Sequence, residues 1–197
     1  MRIDDGTGKG YEVKVTESNR LCTSSVTTSN IDAAACLGNR YNLNTGDITL
    51  TDANKTTTIY LKNNEDNDLV ISSFIYNLGN STSGTGDGLV EILRNPTTGD
   101  IVTNANNVAI NSNQHFGSSN TLSADVYLGA TSEAAITDGS VSISTRLPSP
   151  AGRTLIVLGA LILPKGASLA IDYTPPASNT SQICQFAISC FLFVPGN

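Results

Sequence analysis

The chain has 197 residues, of which 39 % are hydrophobic and only 14 % charged, with a formal net charge of −6. Eleven scattered Lys and Arg cannot supply the clustered cations that displace counterions from phosphates, so nucleic acid is excluded as a partner. The longest apolar run, Leu155–Pro164, is half of the roughly 20 residues that a membrane-crossing helix needs, which excludes such a helix. Ser, Thr, Asn and Gly replace the Ala, Glu, Lys and Leu of long helices. This composition predicts many short strands joined by polar turns.

The N-terminus opens Met1-Arg2-Ile3-Asp4-Asp5-Gly6 without the apolar run and small-residue site of an export signal, so the expectation is that nothing directs export. Asn54, Asn80 and Asn179 begin Asn-x-Ser/Thr sequons, which chance supplies in so Asn- and Thr-rich a chain. Residues 1–30 hold an alternating strand, Tyr11-Glu12-Val13-Lys14-Val15, a turn at Ser18-Asn19 and a second short strand over Arg20–Val26. They carry too few apolar residues for a core, and the expectation is an N-terminal arm or hairpin preceding a single domain over 31–197.

Ile31–Leu37 is the one short helical candidate. Alternation then marks strands around Tyr41 and Leu43, Ile48 and Leu50, and Thr57–Lys62. Next come an acidic turn at 63–68 and an apolar strand over Leu69–Leu78. The acidic turn lacks both the glycine and the closing bidentate glutamate of a calcium loop. The Gly/Ser/Thr stretch 79–88 leads into a strand, Leu89–Leu93, and not into the Gly-Lys-Ser/Thr and helix of a phosphate cradle. A turn at 95–100 enters Ile101–Thr103, the polar region 104–120 carries the weakest pattern, and strands resume at Leu122–Leu128 and Ser140–Leu147.

The densest apolar pattern lies in Arg153–Phe193. Leu155–Leu163 is apolar at nearly every position, which predicts a strand covered on both faces. Pro164-Lys165-Gly166-Ala167 is a turn, and Leu169, Ile171 and Tyr173 alternate with Ala170, Asp172 and Thr174 as in a strand buried on one face. These two strands read as a hairpin. A closing strand, Ile183–Val194, sets Cys184, Phe186, Ile188, Cys190 and Leu192 on one face. About ten short strands predict an all-β, antiparallel β-sandwich of jelly-roll type.

No residue set predicts catalysis, a cofactor or a metal. His115 is the only histidine, and nothing beside it resembles a nucleophile elbow. Asp87, Glu91, Asp125, Glu133 and Asp138 fit turns and strand faces, and without Trp the chain has little to line a glycan cleft. Cys22, Cys36, Cys184 and Cys190 lack zinc spacing. The last two, six residues apart on one strand, lie roughly 20 Å apart, too far to bridge, so free thiols are expected.

Six segments, taken together, resemble a group of tailed-bacteriophage virion proteins. They are "IDDGTGKGYEVKVTESNRL" (3–21), "YNLNTGDITLT" (41–51), "TTTIYLKNNEDNDLVISSFIYNLG" (57–79), "GLVEILRNPTTGDIV" (88–102), "INSNQHFGSSNTLSADVYLGA" (110–130) and "LPKGASLAIDYTPP" (163–176). The resemblance runs in the same order over most of the chain. It implies a jelly-roll capsid cement or decoration protein on the virion surface, assembled in the host cytoplasm, homotrimeric and clamping the major capsid protein. A tail, fibre or baseplate component that binds a host receptor is the alternative. For partner contacts the expected residues are Ile3, Tyr11, Val13, Val15 and Leu21, with Arg2, Lys9 and Lys14 placed to meet acidic capsid groups.

Overall fold

The computed structural model describes residues 29–103, 108–112, 115–129, 135–148 and 153–194. One short helix, α1 (Asn30–Cys36), precedes β1 (Arg40–Asn44), β2 (Ile48–Leu50), β3 (Thr56–Asn63), β4 (Asp68–Leu78) and β5 (Asp87–Arg94). A 3-10 turn, Asp100–Thr103, leads to β6 (Ala109–Ser112) and β7 (Ala124–Leu128). The chain then forms β8 (Ser140–Pro148), β9 (Arg153–Leu163), β10 (Ser168–Thr174) and β11 (Gln182–Phe193).

The strands form two antiparallel sheets. One runs β6-β1-β11-β4-β9, with β2 also paired to β11; the other runs β7-β3-β10-β5-β8. Without the short β2, β6 and β7, the remaining strands pair as a nested ladder: β1 with β11, β3 with β10, β4 with β9 and β5 with β8. Pairing of β11 with β4 and of β10 with β5 rolls that ladder into two facing sheets. This is the jelly-roll order, and the fold is an all-β sandwich.

Alternation explains the core. Tyr41, Leu43, Phe74, Tyr76, Leu169, Ile171, Tyr173, Phe186 and Ile188 meet between the sheets, all at most 2 % exposed. The inward face of β11 is the one expected from sequence, Cys184 through Leu192. Two buried asparagines fasten opposite ends. The Asn63 side chain donates to the Leu163 carbonyl (2.8 Å) and accepts from the Glu65 amide (2.9 Å), tying the β3–β4 turn to the end of β9. Asn179, one of the sequon residues, donates to the carbonyls of Leu50 and Asp52.

The structure corrects four expectations. β9 and β10 do not form a hairpin: β9 pairs with β4 in one sheet and β10 lies between β3 and β5 in the other. The turn between them is as expected, with Gly166 at φ +79° and the Ala167 amide bonded to the Pro164 carbonyl, but it crosses from sheet to sheet. Nor is β9 covered on both faces at its described end, where Ile162 is 59 % exposed. Conversely, β10 is buried on both faces, not one. The polar region 104–120 also supplies a strand, β6, which extends the edge beyond β1.

Candidate functional site

The outer face of the five-stranded sheet carries a buried polar cluster. Alternation along β10 sends Ser168, Ala170 and Asp172 outward, where Ile101 of the 3-10 turn and Ile136 cover them in a second apolar cluster with Tyr60 and Leu93. Tyr60 and Tyr127 stack at its side with ring centroids 5.9 Å apart. Asp172 is therefore only 1 % exposed.

A β-bulge shapes what reaches it. Ile171 pairs with Ile59 but Asp172 pairs with Thr57, leaving Thr58 as the extra residue of β3. The bulge re-aims Thr57, whose hydroxyl donates to Asp172 Oδ1 at 2.6 Å and accepts from the Ile136 amide at 2.9 Å. Lys55, just ahead of β3, extends its Nζ to 2.7 Å from Glu91 Oε2 and 3.1 Å from Asp172 Oδ2. Glu91 is the direct cross-strand partner of Asp172. Oδ2 is nonetheless enclosed without a hydrogen bond, because the ammonium approaches it outside hydrogen-bonding angles.

Burial pushes the Asp172 carboxyl above the usual carboxylate range, against the opposing pull of the Thr57 hydroxyl and of Lys55. At Lys55 burial works downward, but the hydrogen bond to Glu91 and the negative charge of the two carboxyls outweigh it and the amine is held above its ordinary value. Each direction follows from exposure: Asp172 is dry, whereas the Lys55 side chain is 35 % exposed. The cluster thus places one amine against two carboxyls, one of them almost without water.

Sequence reasoning grouped Glu91 with other carboxylates and missed both Lys55 and Asp172. The available signal was the aspartate inside the otherwise apolar Leu169–Tyr173 run, since a carboxylate there needs a partner. The other candidate carboxylates lie elsewhere. Asp125 accepts from the Asn64 amide group, Asp87 begins β5, and Glu133 falls outside the described residues.

Asp138 accepts from the Thr97 hydroxyl and amide at 2.7 and 2.9 Å and from the Thr98 amide. Those bonds, the Thr97 hydroxyl's first, hold its carboxyl down at about 2. A depressed folded pKa stabilises the folded state above the ordinary value near 3.9 and is lost as pH falls through the folded one. The Thr97 and Thr98 amide resonances should therefore titrate with a midpoint near 2, and Asp138→Ala should abolish that step.

A second feature is a cleft of about 390 Å³ between the edges β8 and β9. Ile92, Leu161, Leu163 and Leu169 line it, with Arg94 and Ser142 at its polar side. Both bordering strands are bulged: Ser142 is the extra residue of β8, and two residues of β9 oppose Ser72 of β4. Bulges bend and twist an edge strand, and here both borders of the opening carry one. Among the described residues β8 and β9, nine and eleven residues long, pair on one side only. Val141 and Ile162, 52 % and 59 % exposed, flank the cleft.

The residues expected to make partner contacts, Ile3, Tyr11, Val13, Val15 and Leu21, lie outside the described residues, as do Arg2, Lys9, Lys14 and Cys22. His115 sits in an exposed turn beside Phe116, which is 95 % exposed. Among the described residues no group of three or more His, Cys, Asp and Glu converges as metal ligands, and no helix is long and apolar enough to cross a membrane. No protein-family model, curated protein or solved structure matches the chain.

Cys36 is exposed, whereas Cys184 and Cys190 are buried free thiols pushed up to about 12 by burial. Reactivity follows the thiolate, so the two inner cysteines should be inert in the folded chain. Alkylation with peptide mapping should mark Cys36 under native conditions, and Cys184 and Cys190 only after denaturant is added.

Proposed function

We propose that this chain is a structural virion protein, a cement or decoration protein that bridges major capsid subunits on a phage particle. The resemblance in sequence suggests it, and one feature of the structure supports an assembly role over a solitary one. The β8 and β9 edges border one cleft, unpaired on their outer sides among the described residues, with Val141 and Ile162 exposed. A monomer gains nothing from long open edges, which invite pairing with other chains, whereas an assembly protein can satisfy them at a neighbour. Fold alone does not decide, since jelly rolls serve many functions.

In this reading the protein acts as a homotrimer, and residues 1–30, through Ile3, Tyr11, Val13, Val15 and Leu21, supply the clamp on the capsid. Binding energy comes from area repeated over many copies, not from one site. Nothing in this role requires catalysis or a cofactor.

The test is stoichiometric: count this chain against the major capsid protein in purified particles by quantitative mass spectrometry. A shell-wide cement gives a ratio of one to a small integer. A ratio below about one to twenty would sink that role and favour the tail or baseplate alternative, in which exposed loops such as that bearing Phe116 face a receptor.

A further inference from the structure

From the contact of one amine with two carboxyls, we propose that Lys55 and Asp172 are joined by an intramolecular amide bond, with Glu91 as the proton carrier. The cross-link stands apart from the capsid reading and depends only on the cluster. Lys55 Nζ lies 3.1 Å from Asp172 Oδ2, an oxygen enclosed by protein that receives no hydrogen bond. Asp172 Oδ1, by contrast, is held at 2.6 Å by the Thr57 hydroxyl. The two oxygens are thus differentiated: one is anchored as a carbonyl oxygen would be, the other faces the amine.

Amide formation from an amine and an acid is opposed in water, because the ammonium and the carboxylate are both well solvated. Taking the carboxyl out of water removes much of that penalty and favours its neutral form, the direction in which burial pushes Asp172. Held contact replaces the encounter of separate molecules, which is worth a large effective concentration.

The ammonium of Lys55 passes a proton to Glu91 Oε2, its hydrogen-bond acceptor at 2.7 Å, and Glu91 hands that proton to Asp172 Oδ2, giving a neutral amine and a neutral acid. The Nζ lone pair attacks Cγ, the N–C bond forms, and negative charge collects on Oδ1, where Thr57 donates. Glu91 Oε2, 2.7 Å from Nζ, takes the proton that the nitrogen now sheds and delivers it to the Oδ2 hydroxyl. The Cγ–Oδ2 bond breaks, water leaves, and Oδ1 becomes the amide carbonyl. Glu91 returns to a carboxylate, and no oxidant or activated co-reactant is consumed. The covalent link would fasten the segment ahead of β3 to the central strand β10.

Intact-mass spectrometry of the purified, folded chain tests this. The wild type should weigh one water less than its sequence requires, and a tryptic digest should contain one branched peptide joining Lys55 to Asp172. Glu91→Gln, which keeps the side chain's size but cannot carry the proton, should weigh the full sequence mass while retaining its β-sheet circular dichroism. Lys55→Arg, which keeps the charge without a condensing amine, should do the same and serves if Glu91→Gln does not fold. A wild type at full sequence mass, or a lost water that maps to another site such as a cyclised Asp87–Gly88, would overturn the proposal. A branched peptide that survives undiminished in Glu91→Gln would overturn the role given to Glu91.

Discussion

Phe186→Ala should lower the stability of the folded chain by about 4 kcal/mol and its melting temperature by roughly 8–16 °C. The ring is fully buried within β11 and belongs to the core cluster between the two sheets. It meets Tyr76 of its own sheet edge-on at 5.6 Å and Tyr173 of the opposite sheet at 6.0 Å. Truncation would leave a void bounded by two tyrosines that cannot collapse inward, because the Tyr173 hydroxyl is fixed to Gln182 at 2.9 Å. Both backbone groups of Phe186 are also engaged by Thr45, so the strand cannot shift to fill the gap. Chemical denaturation of the two proteins measures the difference. Phe186→Leu, which restores most of the volume, should recover more than half of the loss, and a drop below about 1 kcal/mol for alanine would mean that the sheets do not meet there.

Gly129→Ala should be comparably damaging for a different reason. A Cβ at this position would stand 1.7 Å from the Thr57 carbonyl oxygen, a backbone atom that cannot swing aside, and 3.2 Å from Ile101. The Gly129 amide meanwhile bonds to the Thr58 carbonyl at 2.9 Å, so relief of the clash breaks the joint between the end of β7 and β3. Ordinary overpacking costs about 1–3 kcal/mol, and contact with backbone at such a distance should exceed that range. The damage should also be local in a recognisable way. Thr57 and Thr58 form the bulge that aims a hydroxyl at Asp172, so hydrogen exchange should rise first at the Thr58, Gly129 and Ile136 amides. Uniformly faster exchange across both sheets would argue against this account.

Much of the fold was legible because strand patterns are local. The alternation in Ile183–Val194 correctly placed Cys184, Phe186, Ile188, Cys190 and Leu192 in the core, and the capped helix α1 was visible in Ile31–Leu37. What failed was non-local. Pro164-Lys165-Gly166-Ala167 has the same turn chemistry whether the flanking strands pair with each other or diverge into opposite sheets, and only the faces they meet decide. The apolar character of β9 suggested cover on both sides, yet Ile162 near its end is 59 % exposed; sequence records hydrophobicity, not what lies against it. β6 escaped notice because an added edge strand inside a polar stretch needs only backbone pairing, here with β1.

The candidate site was legible only in fragments. Glu91 stood out as a carboxylate, but its cross-strand neighbour Asp172 looked like the solvent side of a half-buried strand. The cover over Asp172 comes from Ile101 and Ile136, whose arrival at this face depends on the excursion between β5 and β8. Lys55 lies far from Asp172 in sequence and belongs to no motif, so only the register of three strands brings the amine to the carboxyl.

The position of β11 bears on how the chain is made. A ribosome releases β1, β2 and β4 before it reaches the strand that all three require as a neighbour. Until Gln182–Phe193 emerges, one sheet lacks its middle member and its apolar residues have no complete surface to join. Folding of that sheet is therefore tied to the end of this stretch of synthesis. The slow step should therefore be the insertion of one long strand between two waiting edges.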